Sequence, residues 1–345
     1  MYDTQKLKVF CRRVMESAGL PEEQSIDFAE SLVTADMRGI PSHGVTRLKA
    51  YHRRLADGVT DAAAKPAIAA DLPSLLLIDG NNAMGVTTAS FAMRECVSRA
   101  KTTGACFAAV RGGNHFGYAA YYSELAARAG MIGFSLCNAS HAVAPFGGRT
   151  AELGTNPLAV TVPGRDTILL DLDMATSLVA RGKVTLAAKK GQSIPSDWGI
   201  DEAGRPVTDP TAVSCVLPFG GYKGYGIGLV VEILASCISG AAGSQQMGSF
   251  YDFSRPQNVG FFLGALNVGG VTEFGAFADR VDALIRSLKS APKAEGCDEI
   301  LVAGEPEARR YREALVHGIE LPAAVRAELE ELSRVCGVPF DCELP

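Results

Sequence analysis

"CFAAVRGGNHFGYAA", residues 106 to 120, passes from an apolar run through a glycine-rich loop into a helical pattern, and its reading decides the fold. A strand, a loop and a helix in that order place the loop beyond the C-terminal end of the strand, where open α/β sheets bind ligands. Gly112, Gly113 and Gly117 let backbone approach a ligand closely, and Asn114 and His115 supply polar tips. A histidine that merely satisfies loop carbonyls fits the same residues equally well.

Working outward, LLLIDG (75–80), MIGFSLCNA (131–139), LAVTVPG (158–164) and ILLDLDMA (168–175) read as strands, with helical patterns over 87–103 and 118–129. VGFFLGALNVG (259–269) and EILVAG (299–304) read as two further strands, and the polar, turn-rich segment 191–210 reads as a surface excursion. This alternation predicts an α/β fold with a mixed sheet. No GxGxxG opens a helix after a strand, and GYGIG (224–228) has the wrong spacing, so a dinucleotide would have to bind without the Rossmann device.

Before the first strand, Leu7, Phe10, Cys11 and Val14 share one helical face, as do Ile26, Ala29, Leu32 and Val33, with Gly39 ending the second helix. A third helix is predicted from Pro41-Ser42, with Ser42 as N-cap and Val45, Leu48, Tyr51 or His52, and Leu55 facing inward. Residues 1–60 are expected to form a helical cap and 61–304 an α/β region for cofactor and substrate. Residues 305–345, with Val325, Leu329, Leu332 and Cys336 on one face, are expected to be helices packed on the cap.

A chain of 345 residues with 47% hydrophobic composition can bury a large core. Its net charge of -5 comes with no block of lysine and arginine, which argues against nucleic acid and favours a small-molecule substrate. Nine cysteines without metal-ligand spacing read as buried thiols of a reducing compartment, and no metal is expected. The first residues lack the continuous apolar core of a signal peptide, and GIGLVVEILASCISGAAG (226–243) carries Glu232 and reads as a buried helix. A cytoplasmic protein without a membrane anchor is expected.

In PSHGVTRL (41–48), helical spacing sets Arg47 on the same face as His43. An arginine that grips a carboxylate through two parallel N–H bonds, beside an imidazolium that protonates the neighbouring oxygen, suits a 2-oxo or 2-hydroxy acid. A capped surface helix with an incidental histidine fits the same letters. Thr155 and Asn156 could bond a substrate or a nicotinamide amide, Asp173, Met174 and Ala175 end a strand at the ligand-facing edge, and Lys183 offers a cation. The glycine-rich turn before Lys223 and Gly224 suits a phosphate, or equally a close-packed turn. A hydrolase built on Cys137 and His141, or a ligand-binding protein without turnover, are readings from other classes.

Six segments in series resemble the type-2 malate/L-lactate dehydrogenase family: SHG followed by arginine, NHFG, GTNP, DMATS with ARGK, GYKGYG and a late GE, spanning about residues 30 to 310. The resemblance implies a non-Rossmann malate/L-lactate dehydrogenase-like fold, a homodimer and an NAD(P)H cofactor. It implies His43 as proton donor beside Ser42, with Lys183 also catalytic and His115 as the rival donor. Arg47 and Thr155 would hold substrate. His115, Phe116, Gly117, Tyr118, Ala119, Asp173, Met174, Ala175, Lys223, Gly224, Ala303, Gly304 and Glu305 would line the cofactor. The chain departs from the family's PGE-arginine with Ala303-Gly304-Glu305-Pro306, and Lys183 stands where some imino acid reductases carry aspartate. The implied reaction is hydride transfer between nicotinamide and a small 2-oxo or 2-hydroxy carboxylic acid. The alternative is reduction of a cyclic imino acid such as piperideine-2-carboxylate or pyrroline-2-carboxylate.

Overall fold

A computed structural model describes residues 1–165 and 167–344. Helices α1 (Thr4–Ser17), α2 (Glu22–Met37) and α3 (Leu48–Ala56) precede the sheet. The predicted stripe of α1 is buried, as are Ala29, Leu32 and Val33 of α2, but Ile26 is 49% exposed and Phe28 takes the inward position instead.

Seven strands form one mixed sheet: β1 (Ala67–Asp71), β2 (Leu75–Asp79), β3 (Ala105–Gly113), β4 (Met131–Cys137), β5 (Leu158–Pro163), β6 (Ile168–Met174) and β9 (Val259–Asn267). Their spatial order is β1-β2-β3-β9-β4-β5-β6. Only β2 and β3 run parallel, and the crossover between them is α4 (Gly85–Thr103), because parallel neighbours cannot be joined by a tight hairpin. The late strand β9 inserts between β3 and β4, antiparallel to both, and so closes the sheet centre. Helix α5 (Ala120–Arg128) lies so close on β4 that a Cβ at Gly133 would come within 2.1 Å of the Ser123 carbonyl oxygen.

A two-strand pair, β7 (Gly199–Ile200) with β8 (Cys215–Val216), organises the predicted surface excursion. With α6 (Arg181–Lys190) it encloses a small separate core of Val143, Val179, Val184, Ile194, Val213 and Val216. Helices α8 (Phe274–Lys289), α9 (Glu305–His317) and α10 (Ala323–Cys336) follow the sheet, and α10 packs on α1 and α3 through Leu329 and Leu332.

Three expectations need correction. EILVAG does not form a strand: residues 299–304 lead by a turn into α9, with Ala303 accepting one lateral bond from the Asp171 N–H. The apolar helix α7 (Tyr222–Glu232), continued by a wider π-type turn over Ile233–Cys237, is not buried throughout, since Ile227, Val230, Ile233 and Ile238 are exposed. Cys237 and Cys297 are likewise exposed rather than buried. No helix among the described residues is long and apolar enough to cross a membrane.

Candidate active site

The turn at residues 41–47 differs from the expected capped α-helix. Two short 3-10 turns, Pro41–His43 and Val45–Arg47, meet at Gly44, and α3 starts only at Leu48. The cap comes from elsewhere: Asp36, near the end of α2, sits beneath the turn and accepts the Val45 N–H at 2.7 Å. A Cβ on Gly44 would stand 2.1 Å from that carboxylate, so only glycine lets the chain pass. Burial pushes Asp36 up to about 7, against the lowering effect of the Val45 bond. Ser42, relieved of capping, places its Oγ 2.9 Å from His43 Nδ1, and Arg47 folds back to donate from Nε to the Ser42 carbonyl at 2.8 Å. His43 and Arg47 therefore converge, but through a broken turn rather than along one helix face.

The second histidine arrives from the end of β3. Asn114 anchors the loop by donating to Asn82 and Ala83, and the His115 N–H donates to Gln257 Oε1 at 2.9 Å. The Gly117 N–H, which can only donate, points at His115 Nδ1 at 3.3 Å, so the Tyr51 hydroxyl at 2.5 Å also donates to that nitrogen. The neutral ring consequently carries its hydrogen on Nε2. The His43 and His115 rings stack with centroids 5.8 Å apart. Burial, then the Arg47 guanidinium, brings His43 down to about 4. Burial, then His43, Arg47 and Arg54, holds His115 well below its usual range.

Residues that the sequence did not single out complete this cluster. Phe250 packs 4.7 Å from the His115 ring, and the Arg47 guanidinium lies over both Phe250 and Tyr251, 5.5 and 5.4 Å from their centroids. Their loop is fastened by Arg54, 1% exposed, which donates to the carbonyls of Phe250, Asp252 and Arg255. Nothing in the letters SFYDFS marks them as site residues.

The remaining expected residues lie in several separate places. Phe116, Tyr118 and Ala119 have buried side chains, Phe116 stacked on Phe261 at 4.7 Å, so that stretch faces outward through backbone and through His115 and Gly117. Asp173 accepts the N–H of Ala120 at the start of α5, and burial raises it to about 7; Met174 and Ala175 follow beside it, half-buried. Thr155 is half-buried in a loop whose neighbour Asn156 donates to Glu232, a buried carboxylate that also receives Asn138, Ser236 and Ser244.

Lys183 is exposed on α6. Lys223 is exposed at the start of α7, and Gly224 is buried beneath the Phe219 carbonyl. Ala303, Gly304 and Glu305 border a cavity of about 620 Å³ together with Arg38, Asp171 and Arg312. Glu305 itself is taken by Lys289, with Nζ–Oε distances of 2.6 and 2.7 Å. Asp171 and Asp173, two residues apart and about 7 Å along β6, share one face; the first lines this cavity and the second holds Ala120 at the end of the loop.

Whether a dinucleotide suits these surfaces can be tested on buried polar atoms. Asn114 Oδ1, Tyr118 Oη, Ser177 Oγ and Arg38 Nε are buried without a hydrogen-bond partner among the described residues. Three belong to the NHFGY and DMATS segments and the fourth lines the cavity. Unpaired buried polar atoms are costly, and a polar ligand reaching these segments would satisfy them. The residues fit the group. The hydrolase reading fails locally, because burial pushes the Cys137 thiol up, its Sγ donates to Asn138 O at 2.8 Å, and His141 faces Ser244 instead.

Comparison with known proteins agrees with this geometry. The sequence profile described as "Malate/L-lactate dehydrogenase" matches residues 2–330. The chain is similar to the malate dehydrogenase of Pyrococcus abyssi, 36% identical over 95% of this chain and 93% of that one. It is also similar to the ureidoglycolate dehydrogenase (NAD(+)) of Escherichia coli O157:H7, 34% identical over 88% and 87%. The (2R)-3-sulfolactate dehydrogenase (NADP(+)) of Chromohalobacter salexigens is 32% identical over 91% and 92%. Among solved structures, malate dehydrogenase from Entamoeba histolytica superposes with a TM-score of 0.94 at 31% identity, covering 98% of both chains. The delta1-piperideine-2-carboxylate reductase of Pseudomonas syringae superposes with a TM-score of 0.86 at 28% identity, covering 96% and 99%. With its fold and nearly its whole length in common with these proteins, the chain belongs to the malate/L-lactate dehydrogenase family.

Proposed function

We propose that this NAD(P)-dependent oxidoreductase interconverts a small 2-oxo acid and its 2-hydroxy acid, with His43 as proton donor and Arg47 as the anchor of the substrate carboxylate. The observation that carries the reading is the convergence of Arg47 with two stacked imidazoles that burial keeps neutral. When bound, the nicotinamide cofactor supplies the hydride for reduction and accepts it for oxidation.

The chain's own residues do the rest. The carboxylate bound at Arg47 brings a negative charge beside His43 and offsets the two effects that keep the ring neutral, so the imidazolium forms only when substrate is present. As hydride reaches the carbonyl carbon, its oxygen takes the proton from His43, leaving hydroxyl and neutral imidazole. Ser42 can accept from Nδ1–H and so keeps the charged ring oriented. His115 is less suited to carry an extra proton, because the Gly117 N–H already faces its Nδ1; its Nε2–H instead donates to the substrate oxygen.

His115, Gly117, Asp173, Met174 and Ala175, with Ala303 and Gly304 at the cavity edge, would hold the cofactor, and Thr155 would touch substrate. Lys183, exposed on α6, is left outside the proton path. The reading includes a homodimer in the cytoplasm, assembled over residues 1–60, 61–304 and 305–345 as cap, catalytic region and C-terminal helices.

The test is oxidation of NADH and of NADPH with a panel of 2-oxo acids, followed by absorbance of the reduced nicotinamide. Turnover of pyruvate, oxaloacetate or a similar acid is expected. Activity confined to piperideine-2-carboxylate or pyrroline-2-carboxylate would replace this reading with the cyclic imino acid reductase, a second reading supported by the likeness to the Pseudomonas syringae enzyme.

A further inference from the structure

The anchor for the substrate anion is not a free guanidinium fork. Arg47 spends Nε on the Ser42 carbonyl and Nη1 on the Tyr251 hydroxyl, at 2.8 and 2.5 Å. Only Nη2 remains without a partner among the described residues. A side-on grip through Nε–H and Nη2–H would require breaking the Ser42 contact, while the second Nη1–H and both Nη2–H stay open beside the Tyr251 hydroxyl.

The Tyr251 hydroxyl accepts from Arg47, so its own hydrogen is left over, and it meets no acceptor among the described residues. The phenol is exposed, at 59%, yet it is not loose. Its ring lies 5.1 Å from Phe250, whose carbonyl is tied down by buried Arg54. Asp252 closes the next turn on the Ser254 N–H at 3.0 Å and gives its carbonyl to Arg54 at 2.8 Å. Gln257, at the end of the same loop, accepts the N–H of His115. One loop thus fixes both the phenol and the backbone of a histidine in the site.

We infer that Tyr251 is a substrate-binding residue: its O–H and the Arg47 Nη2–H form a mixed pair of donors, one for each oxygen of the substrate carboxylate. Ordering costs are low because both donors are held before substrate arrives. The pair also selects geometry, since a planar carboxylate presents two oxygens to two separate residues, whereas a neutral amide offers only one acceptor.

This inference rests on the proposed reaction, and the experiment separates the two. Wild type and Tyr251→Phe are compared for KM and kcat with the preferred 2-oxo acid and with its neutral 2-oxo amide. Oxamate, an unreactive 2-oxo carboxylate, is titrated calorimetrically into the cofactor-loaded enzyme. Losing one charge-assisted hydrogen bond should raise KM for the acid and weaken oxamate binding by about tenfold or more. kcat should stay within about threefold, and KM for the amide should change by less than about threefold. Equal oxamate affinity in the two proteins overturns the inference, as does a KM that rises alike for acid and amide. If wild type neither binds oxamate nor reduces any 2-oxo acid, the proposed reaction falls and takes the inference with it; a Tyr251→Phe variant indistinguishable from an active wild type removes the inference alone.

Discussion

The imidazoles of His43 and His115 lie face to face, 15° from parallel and 5.8 Å between centroids. Two imidazolium rings would repel at that distance, so the site holds at most one added proton, and His43, the less depressed of the two, is the ring that takes it.

From this follows the pH dependence of reduction. The free enzyme has His43 at about 4, so the protonated form is a shrinking fraction at every pH above that. kcat/KM for reduction, which reports the free enzyme, should fall about tenfold per unit from about pH 5 to 8. His43→Asn should lower kcat by about 10²–10⁴ with cofactor affinity intact and should flatten the profile. A flat wild-type profile, or the larger loss with His115→Asn, would reassign the donor.

Arg47 carries the next expectation. Arg47→Met should raise KM for the acid steeply, for a truncation cost of ~2–5 kcal/mol, because it strands the substrate anion as well as removing a contact. It also removes the second cause of the low His43 value, so the falling limb of the kcat/KM profile should move to higher pH. Steady-state kinetics across pH measure both, and unchanged KM would take the anchor out of the mechanism.

How much of this was legible depended on distance along the chain. The strands announced by Leu75–Asp79, Ala105–Gly113 and Val259–Asn267 follow from local apolar runs, and His43, Arg47 and His115 stood in recognisable segments. The insertion of β9 between β3 and β4, by contrast, is a pairing across more than a hundred residues that no local pattern encodes. The turn at 41–47 departs from the local solution, a Ser42 N-cap, because its cap is Asp36 in the preceding helix. Phe250 and Tyr251 reach the site only because Arg54 ties a distant loop to α3. Glu232 looked like an intrusion into an apolar helix, and its reason is a set of donors from Asn138, Asn156 and Ser244.

The Asp36–Gly44 contact gives a stability test with a sign. His43 at about 4 against an ordinary 6.5 means that the unfolded chain binds more protons between those values, so this term raises stability as pH rises. Asp36 and Asp173, near 7 against an ordinary 3.8, do the reverse: the folded chain holds the extra protons, and stability is lost as pH rises through that window. Asp36→Asn deletes one descending term. Its melting temperature relative to wild type should therefore increase between about pH 4 and 7, and a difference that does not vary with pH would show that Asp36 does not titrate there.

Gly44→Ala probes the same contact from the other side. The added Cβ would meet Asp36 Oδ1 at 2.1 Å, and the carboxylate cannot retreat without giving up the Val45 N–H. An overpacking cost of ~1–3 kcal/mol is expected in denaturant unfolding, with kcat reduced because the displaced turn carries His43. Wild-type stability and turnover together would mean that the turn is not set by Asp36.

The last expectation concerns assembly. Ile227 and Val230 on α7, Ile233 at the start of the π-type turn and Ile238 just after it are apolar residues at short intervals along one continuous helical stretch. All four are exposed, Val230 at 54%, in a stretch whose apolar character would suit a buried helix. An apolar stretch of this length in water marks an interaction surface, and a second copy of the chain is the occupant consistent with the proposed homodimer. Placing a charge at its centre with Val230→Asp should shift dimers toward monomers in light scattering, since an unpaired carboxylate buried in an interface is strongly destabilising. A variant that remains dimeric would move the interface to another face of the molecule, and a monomeric wild type would remove it altogether.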